Sequence, residues 1–273
     1  MKKLLLLGCI VVSAFVMAHA EVKIQSGDKI AFMGDSITQE GWQHAGGYVK
    51  LIVLGLKEIG IEVEPIPVGV SGHKSNQMLE RLERDVLAKK PQWMTLSCGV
   101  NDVWHGANGV PLDKYKENIT AIVEKAQAEG INVIILTSTM IGEDPQNDNN
   151  QKLAPYNDFL RELAKERNTL LADLSADMHT ALEAIIAKEG PGGNKLTRDG
   201  VHMSFAGNKM MARGVLRTLG VSQEDLAKME TMWDNIPGTS NVTVPLSGAE
   251  FERLQKAASE KEKSPVDFLR TTF

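Results

Sequence analysis

Cysteine is nearly missing from this chain: among 273 residues there are 2, Cys9 and Cys98. That excludes zinc ribbons and CxxC redox chemistry, which need several paired thiols. An excess of one charge is missing too. Lys+Arg number 30 against Asp+Glu 35, a formal charge of −5, so no broad basic face is offered to nucleic acid. So modest a charge on an aliphatic-rich chain also argues against intrinsic disorder. After the N-terminus no second long apolar run follows, which leaves no later membrane span. Internal repeats and low-complexity tracts are absent. So are a Walker A loop, an HExxH pair and a GxGxxG turn. What remains is ordinary for a globular protein, 42% hydrophobic and 24% charged. The length suits one large domain, or one domain with an appendage.

Residues 1–20 read as a secretory signal. Lys2 and Lys3 supply the positive start, Leu4–Val16 the apolar stretch, and Ala18-His19-Ala20 a small-x-small cleavage site before Glu21. Cys9 belongs to a faint lipoprotein pattern, Leu6-Leu7-Gly8-Cys9, but the apolar stretch before it is too short. Cleavage would remove Cys9 and leave Cys98 alone. No intrachain disulfide is then available, even in an exported setting, and stability must come from a core. The expected location is secreted or periplasmic.

Five β-type runs alternate with helical stretches: Lys29–Gly34, Ile61–Gly69, Trp93–Gly99, Asn132–Thr139 and Thr169–Leu174. The third and fourth are almost continuously apolar, as in strands covered on both faces. Helical patterns fall at about 44–60, 75–90, 113–130, 151–168, 176–189 and 204–219. Leu79, Leu82, Val86 and Leu87 form an amphipathic stripe, and Asp113 is the expected cap of the helix it precedes. Alternating β and α predicts a parallel sheet with helices on both faces, and right-handed crossovers collect the loops after the strands along one edge. Gly142–Asn150 reads as a polar surface loop and Gly190–Asn194 as a flexible turn.

Four short blocks lie at or near that edge. Gly34-Asp35-Ser36-Ile37-Thr38 follows the first strand and puts a serine where α/β sheets hold ligands, though Gly-Asp-Ser is also common turn chemistry. Gly69-Val70-Ser71-Gly72-His73 follows the second; Gly72 can present its N–H with no side chain in the way. Ser71 is a decoy, since the fifth position of a G-x-S-x-G elbow is here His73. Gly99-Val100-Asn101-Asp102 ends the third strand, and Asn101 offers a neutral amide donor suited to an oxyanion; a turn asparagine is the alternative. Asp199-Gly200-Val201-His202 supplies a histidine, the usual general base near neutral pH, and an aspartate within reach of its Nδ1 if the turn folds back; a solvated Asp-Gly turn is the alternative.

In this order, the four blocks resemble the SGNH hydrolases, also called GDSL esterases and lipases. The match comprises Gly34-Asp35-Ser36 with Ile37-Thr38, Gly72, Gly99-x-Asn101-Asp102 and Asp199-x-x-His202, spans about residues 28–219, and departs nowhere at the reacting positions. The resemblance implies a flavodoxin-like three-layer α/β/α sandwich with strand order 2-1-3-4-5, occupying residues 21–220. It implies a serine esterase needing no metal and no organic cofactor. Ser36 would attack the ester, His202 serve as base and acid, and Asp199 orient His202. The oxyanion would meet the N–H of Ser36, the N–H of Gly72 and the amide of Asn101. Asp35 and Trp104 are the expected substrate contacts, Trp104 as a platform for a sugar ring. Trp42, His44, His73 and His105 lie in neighbouring loops. Export and Trp104 favour a carbohydrate O-acetyl ester. The alternatives are a lysophospholipase or thioesterase acting on lipid acyl groups and, in another class, a glycan-binding or assembly protein without activity.

Residues 221–241 read as a connector with a helix-like Glu224–Trp233, and residues 242–273 as a strand-helix-helix appendage. The appendage pairs a short strand, Val242–Leu246, with a helix striped by Phe251, Leu254, Ala257 and Ala258 and a second opening at Ser264-Pro265. This pattern resembles ribbon-helix-helix repressors. The strand carries no Lys or Arg for phosphates or base edges, so self-association or packing is the expected use and nucleic acid is not an expected partner.

Overall fold

The computed structural model describes residues 22–239 and 246–270. The signal read at 1–20, and all of the strand read at Val242–Leu246 except Leu246, lie outside the described residues. The chain divides into two compact units between Thr239 and Ser240.

The first unit is built on five parallel strands in the order β2-β1-β3-β4-β5, as the resemblance implied. They are β1 Lys29–Gly34, β2 Glu64–Gly69, β3 Trp93–Ser97, β4 Asn132–Leu136 and β5 Leu170–Ala172. β1 and β3 are buried almost throughout, consistent with their apolar runs. β2 is an edge strand and tolerates Pro65 and Pro67. Two residues apart, both lack their N–H on the same side of the strand, while the side facing β1 keeps its donors.

The helices are α1 Ser36–Gln43, α2 Tyr48–Glu58, α3 Ser75–Asp85, α4 Val100–Trp104, α5 Leu112–Ala128, α6 Asp148–Glu166, α7 Leu174–Glu189, α8 Phe205–Thr218 and α9 Gln223–Asp234. α2, α7, α8 and α9 pack among themselves; α3, α5 and α6 form the second group. These are the two layers that right-handed crossovers produce when the chain first runs from β1 to β2 and then returns to β3. The order reverses at β1, so the loops after β1, β2 and β3 converge on one crevice.

Several boundaries differ from the expectation. α1 and α4 sit where loops were read. α5 is capped by Pro111, and Asp113 lies inside the first turn, where its charge complements the helix dipole. Within the segment read as a connector, α9 puts Leu226, Met229 and Trp233, all fully buried, into the first unit's core.

Buried polar contacts fix the strand ends. Arg81, 4% exposed, donates from Nη2 to the Gly34 carbonyl at 3.0 Å and from Nη1 to the Val68 carbonyl at 2.7 Å. It thereby ties the last turn of the β1–β2 pair to α3. Gly34 itself is required by close approach, because a Cβ there would lie 2.0 Å from Thr38 Oγ1. Thr38 Oγ1 shares a 2.8 Å hydrogen bond with the buried Tyr48 hydroxyl, which seats α1 against α2.

The second unit holds α10 Gly248–Ser259 and α11 Pro265–Arg270, which pack on each other. Ser247 and Glu250 form a capping box at the start of α10. Ala258 is buried, while Phe251, Val266 and Leu269 are exposed.

Candidate active site

Ser36 opens α1 directly after β1. Asp35 is the cap: its Oδ1 accepts the Ile37 N–H at 3.0 Å. First-turn N–H groups have no acceptor within a helix, which leaves the Ser36 N–H suited to an external anion. Asp35, expected to contact substrate, has its side chain turned inward. Its side chain is 2% exposed, spent on the helix cap and turned towards Asn101 Nδ2 at 3.4 Å. Burial pushes its carboxyl up to about 6; the Ile37 N–H opposes this and the nearby Asp102 adds to it.

Asp199-Gly200-Val201-His202 folds back as a tight turn. Asp199 Oδ1 accepts the N–H of Val201 at 3.0 Å and of His202 at 2.8 Å, and Oδ2 lies 2.6 Å from His202 Nδ1. The other ring nitrogen, Nε2, lies 2.9 Å from Ser36 Oγ. The two residues are 166 positions apart in sequence, and the sheet edge joins them. Burial raises the Asp199 carboxyl, but the hydrogen bonds from His202 and Val201 outweigh it and bring the group down to about 2. It is a carboxylate at neutral pH, able to take the Nδ1 proton in a hydrogen bond and leave Nε2 to exchange a proton with Ser36.

The other two blocks close the crevice. Gly72 has a φ of +76° and open space on its Cβ side, a backbone shape and a clearance that another residue would lose. Asn101, in α4, donates from Nδ2 to the His73 carbonyl at 3.2 Å, while its Oδ1 lies 3.2 Å from His105 Nε2. A carbonyl only accepts, so the amide nitrogen is held on the His73 side, next to the glycine of block two. Asp102 is structural. Its Oδ1 accepts the N–H of Ser75 at 3.0 Å and the hydroxyl at 2.6 Å, fastening the start of α3. Burial raises its carboxyl despite these donors.

Ser71 stands outside this chain of contacts, its N–H donating to Gln39 Oε1 at 2.7 Å. Trp104 is 47% exposed and meets the His105 ring edge-on. Trp42 packs on the core and His44 is exposed. Cys98 is buried, and that burial pushes its thiol well up. Among the described residues no group of three His, Cys, Asp or Glu side chains could hold a metal ion.

Two features near the site had no sequence signal. Glu40, one turn after Ser36, pairs with Arg198, the residue before Asp199. Glu143, in the loop read as plain surface, reaches the segment just before Asp199.

Comparison with known proteins gives the family. The GDSL-like lipase/acylhydrolase family matches residues 32–210. The chain belongs to that family. The chain is similar to an acetylxylan esterase of Geobacillus stearothermophilus, 31% identical over 73% of this chain and 97% of that protein. The esterase TesA of Pseudomonas aeruginosa is 25% identical over 80% of this chain and 98% of that protein. Among solved structures, the acetyl xylan esterase AlAXEase superposes with a TM-score of 0.65 at 36% identity, covering 69% of this chain and 98% of that one. As a GDSL-family member with esterase relatives, the chain is a carboxylic ester hydrolase. Solved variants of the Geobacillus enzyme described as catalytic mutants replace a serine, an aspartate or a histidine by alanine. In that enzyme the aspartate and histidine are separated as Asp199 and His202 are.

Proposed function

We propose that this GDSL-family hydrolase is exported and removes O-acetyl groups from carbohydrate through an acyl-enzyme on Ser36. The observation that carries the reading is the continuous contact from Asp199 Oδ2 to His202 Nδ1 at 2.6 Å and from His202 Nε2 to Ser36 Oγ at 2.9 Å. The acetylxylan esterase relatives support the substrate class, and the pattern at residues 1–20 supports export.

The reaction follows from these atoms. Ser36 Oγ attacks the acetyl carbonyl carbon while its proton passes to His202 Nε2. The carbonyl π electrons move to oxygen, and the oxyanion is held by the N–H of Ser36, the N–H of Gly72 and Asn101 Nδ2. Collapse breaks the bond to the sugar oxygen, which takes the proton from Nε2 and leaves as the alcohol. Water then attacks the acetyl-serine, giving its proton to Nε2; release of acetate returns that proton to Ser36. Throughout, the Asp199 carboxylate keeps Nδ1–H in place and stabilises the imidazolium. Trp104, exposed beside Asn101, is the surface on which a sugar ring would stack. The unit after Thr239 is an accessory for self-association or docking.

Acetate release from acetylated xylo-oligosaccharides, compared with release of longer acids from an aryl ester series, tests the reading. Turnover of acetyl esters that falls off steeply with acyl length, and is lost in Ser36→Ala, is expected. Preference for long acyl chains would overturn the carbohydrate assignment.

A further inference from the structure

Glu143 lies in the loop after β4, and its side-chain hydrogen bonds all go to the segment that carries Asp199 and His202. Oε2 accepts the N–H of Lys195 at 2.6 Å. Oε1 accepts the N–H of Leu196 at 2.9 Å, the N–H of Thr197 at 2.6 Å and the Thr197 hydroxyl at 2.6 Å. Thr197 Oγ1 in turn accepts the N–H of Gly200 at 3.2 Å, in the middle of the Asp199–His202 turn. Beside it, the Gly142 N–H donates to the Gly200 carbonyl at 2.6 Å. The two loops are stitched together over more than fifty residues of sequence.

Three successive N–H groups aimed at one carboxylate make an anion-binding concavity, here filled by a side chain of the same protein. The segment needs such support. It is a narrow return with an isolated bridge between Thr197 and Met203, closed by the Arg198 N–H on the His202 carbonyl at 2.8 Å. Neither a strand ladder nor a helix fixes its position before α8 begins.

We propose that Glu143 is a positioning residue for the Asp199–His202 pair, holding through Thr197 and Gly200 the turn that brings His202 to Ser36. Glu143 touches no reacting atom. The inference rests on the reading of Ser36, His202 and Asp199 as the catalytic set. A displacement of about 1 Å between reacting groups can lower a rate by about 10².

The test compares Glu143→Gln with Glu143→Ala, and Thr197→Ser with Thr197→Val, in the full chain with an aryl acetate. Gln keeps the oxygen that takes three of the four donors but sets its NH2 against the Lys195 N–H, so it is expected to lose much less than Ala, while Ser keeps the hydroxyl and is expected to stay near wild type. Glu143→Ala is expected to lose about 10² in kcat with KM little changed, and Thr197→Val to lose in the same direction. The downfield proton resonance of His202 Nδ1 should persist in the Gln variant and broaden away in the Ala variant, with the remaining amide spectrum native. If Glu143→Ala does not fold, Thr197→Val against Thr197→Ser decides. Folded Ala and Val variants with wild-type kcat and an unchanged His202 resonance would overturn the proposal. Ser36→Ala and His202→Ala measured alongside separate the two ideas: activity in those variants would sink the catalytic set itself, while their inactivity beside a fully active Glu143→Ala would sink the positioning role alone.

Discussion

His105 faces Asn101 across one turn of helix, its Nε2 3.2 Å from Asn101 Oδ1. With one N–H of the amide nitrogen on the His73 carbonyl, Oδ1 is the atom that meets His105, a contact made when Nε2 carries the proton. The orientation of Asn101, the proposed oxyanion donor, is thus set from both ends of its amide.

Asn101→Ala is therefore expected to lower kcat by about 10²–10³ with a smaller change in KM, because an oxyanion donor acts mainly in the transition state. His105→Phe should cause a smaller loss in the same parameter, and His105→Gln, which retains a donor of similar reach, should restore most of it. Steady-state kinetics on an aryl acetate reads all three.

His202→Ala should be nearly as damaging as Ser36→Ala, and the double variant little worse than either, since the two act as one unit. Asp199→Asn removes the acceptor charge for Nδ1–H but leaves the turn, and should hurt less. The pH dependence has a defined sign. The Asp199 carboxyl lies at about 2 when folded, below its ordinary value of 3.8, so it stabilises the fold above that ordinary value. The contribution is lost as pH falls through the window from 3.8 towards 2. The stability difference between wild type and Asp199→Ala, read by denaturant titration, should therefore shrink as pH is lowered through that window.

Asp35 has the opposite sign. Its carboxyl is raised from 3.8 to about 6 by burial, so the folded chain holds the proton more tightly than the unfolded one. Stability from this group is full at low pH and falls as pH rises through that window. Asp35→Asn keeps the acceptor for the Ile37 N–H and removes the buried charge. It should gain stability relative to wild type on going from pH 4 to pH 7, on the order of 1–3 kcal/mol, read by denaturant titration at the two pH values.

A chain ending at Thr239 retains every residue placed at the crevice and α9, whose Trp233 is buried in the first unit. It should fold and hydrolyse a small aryl ester at the full-length rate per chain, and if Phe251 and Leu254 meet a second copy, light scattering should show a shift towards monomer. A folded truncation without activity would make the second unit part of the site.

Much of the fold was legible because the signal was strong and local. The sequence marks β1 to the residue, and β3 and β4 by their unbroken apolar content. β2 was read three residues too early, since Ile61 and Val63 are apolar and pack on the core without joining the ladder. α1 and α4 were missed because they are 8 and 5 residues long and carry no apolar period; α1 exists through the Asp35 cap and its seat on Tyr48. That cap was itself a readable sign, an aspartate directly before the serine, yet the motif drew Asp35 towards substrate. Glu143 could not be read at all. Nothing local marks it, and its partners lie 52 to 54 residues away, brought near by the crossover after β4.

Covalent labelling reads out whether Ser36 is the nucleophile. The full-length chain is treated with an organophosphonate ester reagent and its peptides are mapped by mass spectrometry. One phosphonyl group on Ser36, none on Ser71, and loss of hydrolysis in step with labelling is the predicted result. Labelling at Ser71, or full hydrolysis by a chain fully modified at Ser36, would contradict the account.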